Sequence, residues 1–397
     1  MSDAEFRSVV EGLASRRPSI SDAPRPITSV AVLGAGPVGL AIACEAIAEG
    51  HDTRLWSPFA NDTVRETITV RGAHLVGTYR LGSSQPAPAI TIASGVDTAV
   101  AGVDLIVVAV PALSMASLAT FLAPYLGDGQ IVLLVGGRRF GTAEMRRELA
   151  RSGATADVVV AELTAPPDAV SASATGVFVH ARLAAVGVGV SPASATSGVV
   201  TRLAGLFPNI SSHDSALHSS FAELTGVINV APLLLNVGAA VADGATWAPL
   251  MTSTVTDVIE ALDSERRAVA FAFGVRDLPT AAEQLAVAHG LGPASASASA
   301  SLTFHDVWHA IEAFDDLPVP PFGLRRLLAD DVACSLVPLA SAGRAADVPT
   351  PVAESLIGTA GHVVGQDLAA LGRSIASLGL AEQPLASIRA RLSGEGW

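Results

Sequence analysis

The chain has 397 residues, half of them apolar and 15% charged, which predicts a large buried core divided between two domains and excludes disorder. A formal charge of −13 without any basic run excludes a phosphate-backbone clamp, so no nucleic-acid partner is expected. The sequence contains no lysine, which removes Schiff-base chemistry, pyridoxal-phosphate attachment and a phosphate-loop lysine from consideration.

In chain order, residues 1–26 form an N-terminal extension. It carries acids early and lacks the apolar block of a signal peptide, so a cytoplasmic setting is expected. Phe6, Val9, Val10 and Leu13 fall at helical spacing, leaving an amphipathic helix or a disordered tail as alternatives. From about residue 27 to 206, short β-rich runs alternate with helical stretches. "SVAVLGAG", "DTRLW", "VDLIVVAVP", "GQIVLLVGG" and "ADVVVAEL" read as buried strands of a doubly wound parallel sheet, and "GVFVHARLAAVGVGV" continues the pattern. Residues 207–397 read as an all-helical second domain, with "GPASASASAS" (292–301) as a surface loop. Asn229, Pro232 and Asn236 interrupt the apolar run 224–242, so it is expected to be a buried helix rather than a membrane span.

No metal site is expected. Cys44 and Cys334 lie far apart in apolar stretches, and His305 and His309 of "FHDVWH" lack the rest of a zinc helix.

The stretch "VAVLGAGPVGLA" places Gly34, Gly36 and Gly39 in the G-x-G-x-x-G spacing, between a strand and a helix. Gly34 permits the tight turn, Gly36 lets backbone approach a pyrophosphate, and Gly39 allows close helix–strand packing. Pro37 suits the first helical turn, and the amides around Ala35 and Val38 face the anion. Val110 and Pro111, at the end of "VDLIVVAVP", complete the expected coenzyme contacts. Ser57 stands where NAD sites usually carry an acid. A neutral residue does not repel a 2′-phosphate, and Arg54 or Arg65 could attract one, so NADP(H) is favoured over NAD(H).

These motifs, with "DLIVVAVPALSMASL", "LDSERRAVAFAFG" and "DDVACSLVPLASAGRAADVPTP", give a chain that resembles the opine dehydrogenases over most of residues 28–385. The resemblance implies a Rossmann domain, a helical domain and NAD(P)H-dependent reduction of the imine formed from an amine and a 2-keto acid. Homodimerisation is a further expectation. Carried onto "RRLLADDV", it makes Arg326 a substrate-binding arginine and Asp331 a catalytic aspartate. The place of the family's catalytic histidine falls on Asn229 in "VINVAPLLLN".

On one helix through 214–242, His218, Thr225, Asn229 and Asn236 form a polar stripe. Thr225 and Asn229 are then assigned to catalysis, and His218 and Asn236 to substrate binding. An amide does not titrate near neutral pH, so Asn229 cannot replace a histidine as acid or base. Reducing a charged iminium needs no proton, so the C=N reaction tolerates this change best. The expected activity is that of an imine reductase or reductive aminase. A carbonyl reductase and a non-catalytic nucleotide-binding regulator are the alternatives. Arg138 and Arg139, in "GGRRFGTAE" after a sheet strand, are candidates for a substrate carboxylate or a coenzyme phosphate, or else face solvent.

Overall fold

The computed structural model describes residues 25–57, 75–77, 90–173, 176–292, 302–320 and 323–397. The expectations for Phe6, Val9, Val10 and Leu13, for Arg65 and for most of 292–301 lie outside the described residues.

Eleven strands are described: β1 (Ser29–Leu33), β2 (Asp52–Trp56), β3 (Leu75–Gly77), β4 (Thr91–Ile92), β5 (Leu105–Val108), β6 (Ile131–Val135), β7 (Val159–Leu163), β8 (Asp168–Ser173), β9 (Gly176–Arg182), β10 (Val186–Ser191) and β11 (Ile210–Ser212). Eight build one sheet in the order β11-β10-β7-β6-β5-β1-β2-β4, and β3-β9-β8 form a second. Every residue of β5 and β6 is buried, because helices cover both faces of the sheet and each Val, Leu or Ile meets apolar neighbours either way. The chain winds outward from β1 through β2 and β4, then returns to β5 on the other flank of β1. That reversal is the crevice where open α/β sheets bind ligands.

The doubly wound expectation holds for the strands that β1, β2 and β4–β7 contribute. It departs at β10, which lies antiparallel to β7. After β7 the chain makes the β8–β9 antiparallel pair and comes straight back, with no crossover helix to carry it to the far end of the sheet. The last strand, β11, lies beyond position 206, where the sequence pattern placed the change to helices; three residues pair with β10 there.

The second half is helical. Its core holds Phe221, Val227, Val230, Leu233, Leu262 and Leu339, all fully buried. The expected single helix over 214–242 is instead three: Ala216–Ala222, Thr225–Leu235 and Val237–Ala240. Glu223 turns extended (ψ 126°), and its carboxylate accepts the Thr225 backbone N–H at 2.7 Å, ending one helix and starting the next. Pro232 lies inside the second helix, which stops at Leu235. Among the described residues, no helix is long and apolar enough to cross a membrane, and no group of His, Cys, Asp and Glu could hold a metal ion.

Candidate active site

At the end of β1 the glycine motif does what its spacing requires. Gly34 has φ +124°, and a Cβ there would overlap the carbonyl of Ala109 beyond β5, so the turn presses against the neighbouring strand. A Cβ on Gly39 would overlap the Gly34 carbonyl, which lets helix α1 (Pro37–Ala48) leave directly from the turn. Gly36, in contrast, faces open space, with nothing within 4 Å of its absent Cβ. The first turn of α1 has Pro37 at its start and no side-chain cap, so its amides are left to an anion. Val110 and Pro111 follow β5 on the flank of this turn, and Ser57 directly follows β2. The residues therefore fit a dinucleotide, with Gly36 as the point of close approach.

Arg54, the described candidate for a 2′-phosphate, is held by other partners. Its guanidinium donates to the carbonyls of Thr98 (3.3 Å) and Ala101 (2.8 Å) and pairs with Asp52 at 3.3 Å.

The second centre lies where the loop after β6 meets two helices, α2 (Thr225–Leu235) and α3 (Leu324–Asp331). Asp331 has no exposed surface. Arg138 grips its Oδ1 through Nε and a terminal nitrogen, both at 2.9 Å. Asn229 donates its Nδ2–H to Oδ2, also at 2.9 Å. Gly226 makes this approach possible: a Cβ there would overlap that of Ser335 and lie 3.1 Å from the Asp331 carbonyl. Burial pushes the Asp331 carboxyl up to about 6, with the Arg138 guanidinium pulling the other way. Asp330 adjoins the same centre, 3.7 Å from Arg138, and accepts the Leu113 backbone N–H at 2.9 Å.

The loop is strained where it serves this centre. Arg138 and Phe140, neither a glycine, have φ values of 64° and 63°. Arg139, fully buried, donates to the carbonyls of Ser335 (2.6 Å) and Glu223 (3.2 Å). Arg373 clasps the loop from the other side through the carbonyls of Gly137 (2.9 Å) and Arg139 (2.6 Å). Directly after Asp331 the chain forms a π-helical turn, Val332–Leu336, whose Cys334 carbonyl accepts the Arg139 N–H at 3.0 Å. Arg139 is thus engaged within the protein and away from solvent, whereas Arg138 is bound to Asp331 through two of its three nitrogens and keeps a small exposed surface. Sequence reasoning assigned no role to Glu223, Gly226 or Ser335. Ser335 Oγ donates to Glu223 at 3.1 Å, and the three residues join the helices that carry Asn229 and Asp331.

Between the sheet and the helices lies a cavity of about 1060 Å³ that reaches both Val38 of the glycine turn and Asn229. Thr225 and His218 also line it, His218 from its own short helix and stacked on His213 at 4.4 Å. Asn236 is elsewhere: its amide donates to the carbonyls of Pro232 (3.0 Å) and Leu250 (3.3 Å). Arg326 is exposed on α3 and does not line the cavity, although the next residue, Leu327, does. The structure therefore places Asn229, Thr225 and His218 on the cavity, with Asp331 fully buried behind Asn229 and not lining it, and leaves Asn236 and Arg326 apart.

Residues 212–364 match the family model described as the NAD/NADP octopine/nopaline dehydrogenase alpha-helical domain, which contains both Asn229 and Asp331. Residues 29–166 match that of the NAD-dependent glycerol-3-phosphate dehydrogenase N-terminus, which contains the glycine turn. The chain is 28% identical over 365 residues to an opine dehydrogenase of Arthrobacter sp. (strain 1C), covering 90% of this chain and 97% of that one. The fold is that of octopine dehydrogenase solved with NADH and L-arginine, at a TM-score of 0.68 and 16% identity over 93% of this chain and 99% of that one. An NADP+-bound yersinopine dehydrogenase aligns with a TM-score of 0.58 and 17% identity, covering 93% and 98%.

Proposed function

Starting from a chain that is an opine dehydrogenase-like, NAD(P)-dependent oxidoreductase, we propose that it reduces a C=N bond, with Asn229 standing where the family carries its catalytic histidine and Asp331 stabilising the iminium charge. The hydrogen bond from Asn229 Nδ2 to Asp331 Oδ2 carries this reading. An ionised carboxylate only accepts, so the amide must turn its nitrogen toward Asp331. Its Oδ1 is then the acceptor left for the cavity that Asn229 lines. An iminium N–H is a donor and matches that acceptor. A ketone oxygen is itself an acceptor and meets no proton source in this pair.

Gly34, Ala35, Gly36, Pro37, Val38 and Gly39 would hold the dinucleotide, with Ser57, Val110 and Pro111 at the neighbouring strand ends. When bound there, the reduced nicotinamide supplies hydride to the C=N carbon. Asp331 contributes a negative charge shielded from water, where it acts on a nearby cation more strongly than an exposed carboxylate does. Arg138 and Asn229 fix that carboxylate in one orientation, so little reorganisation accompanies the change of charge at the substrate. Asn229 exchanges no proton, so condensation of amine and keto acid draws no acid–base help from it.

The test follows NADPH and NADH oxidation with preformed cyclic imines, with amine plus keto-acid pairs, and with ketones. Turnover is expected with the imines and more slowly with the pairs; turnover with ketones alone would refute the assignment. Asn229→His is expected to raise the rate with amine plus keto acid far more than the rate with preformed imine.

A further inference from the structure

We infer that the amine partner carries a large, uncharged side chain, seated on an aromatic and aliphatic wall of the cavity that Asn229 lines. This inference rests on the proposed C=N reduction and names the class of amine that the site would take.

Two members of the wall lie on the helices that carry the polar pair. Ile228 adjoins Asn229 on α2. Leu327 lies four residues before Asp331 on α3, on the same helical face. Both line the cavity, as do Trp247, Trp308, Phe314 and Leu317. Trp308 and Phe314 lie 4.3 Å apart between ring centroids, and both tryptophans are almost fully buried. The cavity, about 1060 Å³, has to admit the nicotinamide end of the coenzyme and the keto acid, and it leaves room for a bulky partner beside them.

The charges around the cavity tell against a cationic tail. Three carboxylates line it among the described residues. Asp168 is paired with Arg182 at 3.0 Å, and Glu283 accepts the Thr280 N–H and hydroxyl at 2.8 and 3.0 Å. Asp277 is exposed, as are the lining arginines Arg267 and Arg276. Burial lowers His213 and His289 to about 4 and lowers His218 as well, so the three imidazoles are neutral at pH 7. A guanidinium inserted here would give up its hydration, while the two buried carboxylates within or behind the cavity, Asp168 and Asp331, are already paired with Arg182 and Arg138. An octopine dehydrogenase of the same fold was solved with L-arginine and with agmatine, so the two amine classes provide a direct contrast.

Tryptophan-fluorescence titration of the full chain, with reduced coenzyme present, measures the preference without requiring turnover. L-Phenylalanine and L-leucine are expected to bind about 10- to 100-fold more tightly than L-arginine or agmatine, the ratio that burial of one apolar side chain supplies. Equal or tighter binding of the cationic amines would overturn the inference, as would binding of neither class. Leu317→Glu is expected to move the ratio toward agmatine by about tenfold and Leu317→Gln to leave it in place, since one buried charge pair is worth at least that much. An unchanged ratio in Leu317→Glu would remove the wall from the amine site. The imine, pair and ketone assays fail separately: turnover restricted to ketones overturns the C=N reading, whereas turnover best with arginine overturns only the amine class.

Discussion

Asp331 meets its partners in an unusual balance, since burial favours the neutral acid while Arg138 and Asn229 both favour the anion. With the carboxyl at about 6, the ionised fraction rises through that pH and is nearly complete by 8. If the anion stabilises an iminium, kcat for an N-alkylated iminium, which keeps the charge that Asp331 answers but gives up the N–H that Asn229 accepts, rises through pH 6 and then levels. Such a substrate removes amine protonation from the profile. Asp331→Asn is expected to lose about 10²–10³ in kcat, the scale of one preorganised electrostatic contact, and to flatten the acid limb. An acid limb that persists in this variant assigns it to another group. The neighbouring Asp330 limits the structural damage, because Arg138 keeps a carboxylate at 3.7 Å. Asn229 and Asp331 were legible one at a time through the family resemblance. Their contact was not, because 102 residues separate them. Arg138 was visible in "GGRRFGTAE" only as an unassigned cation, since nothing local reveals that its partner stands 193 residues away.

At the scale of elements, the pair depends on how closely α2 lies against the turn that follows α3. Gly226 sets that separation, three residues before Asn229 and on the same side of the helix. Gly226→Ala places a Cβ against that of Ser335, and neither atom sits at the end of a flexible chain that could swing away. A loss of about 1–3 kcal/mol in folding stability is expected from overpacking of this kind. Coenzyme affinity should stay the same while kcat falls, because the glycine turn belongs to another element. A parallel loss of coenzyme binding would mean that the whole fold had suffered. The polar stripe was read on one continuous helix, and this explains which of its members failed. Thr225 and Asn229 share a helix and line the cavity together, whereas Asn236 lies past the helix end and turns to backbone carbonyls. The break before Thr225 left no mark in the sequence, because glutamate is a good helix former. A local contact to the Thr225 N–H and a tertiary one to Ser335 make Glu223 a terminator here.

Across the whole molecule, the sheet was the most legible part, since strands buried on both faces give unbroken apolar runs. The antiparallel β10 was hidden because that composition does not depend on strand direction. The joint between the halves was equally hidden. It is made by buried charges, with Arg139 and Arg373 reaching across it and Glu162, at the end of β7, beneath the same loop. Thr142 donates to one Glu162 oxygen through its N–H (2.9 Å) and hydroxyl (2.8 Å), while the other oxygen has no partner among the described residues. Burial raises this carboxyl from 4.5 to about 7, against the pull of Thr142 and Arg373. A raised acid binds its proton more tightly in the folded state than in the unfolded one. Its contribution is therefore fully present below about pH 4.5 and is lost as pH rises through 7. Glu162→Gln keeps an acceptor for Thr142 and removes the charge. It should unfold at higher denaturant concentration than the wild type at pH 8, by up to roughly 3 kcal/mol, with the difference vanishing below pH 4.5. A variant that is less stable at pH 8 would show that Arg373 holds Glu162 as an ion, and that the joint is tied by a charge pair rather than a buried neutral acid.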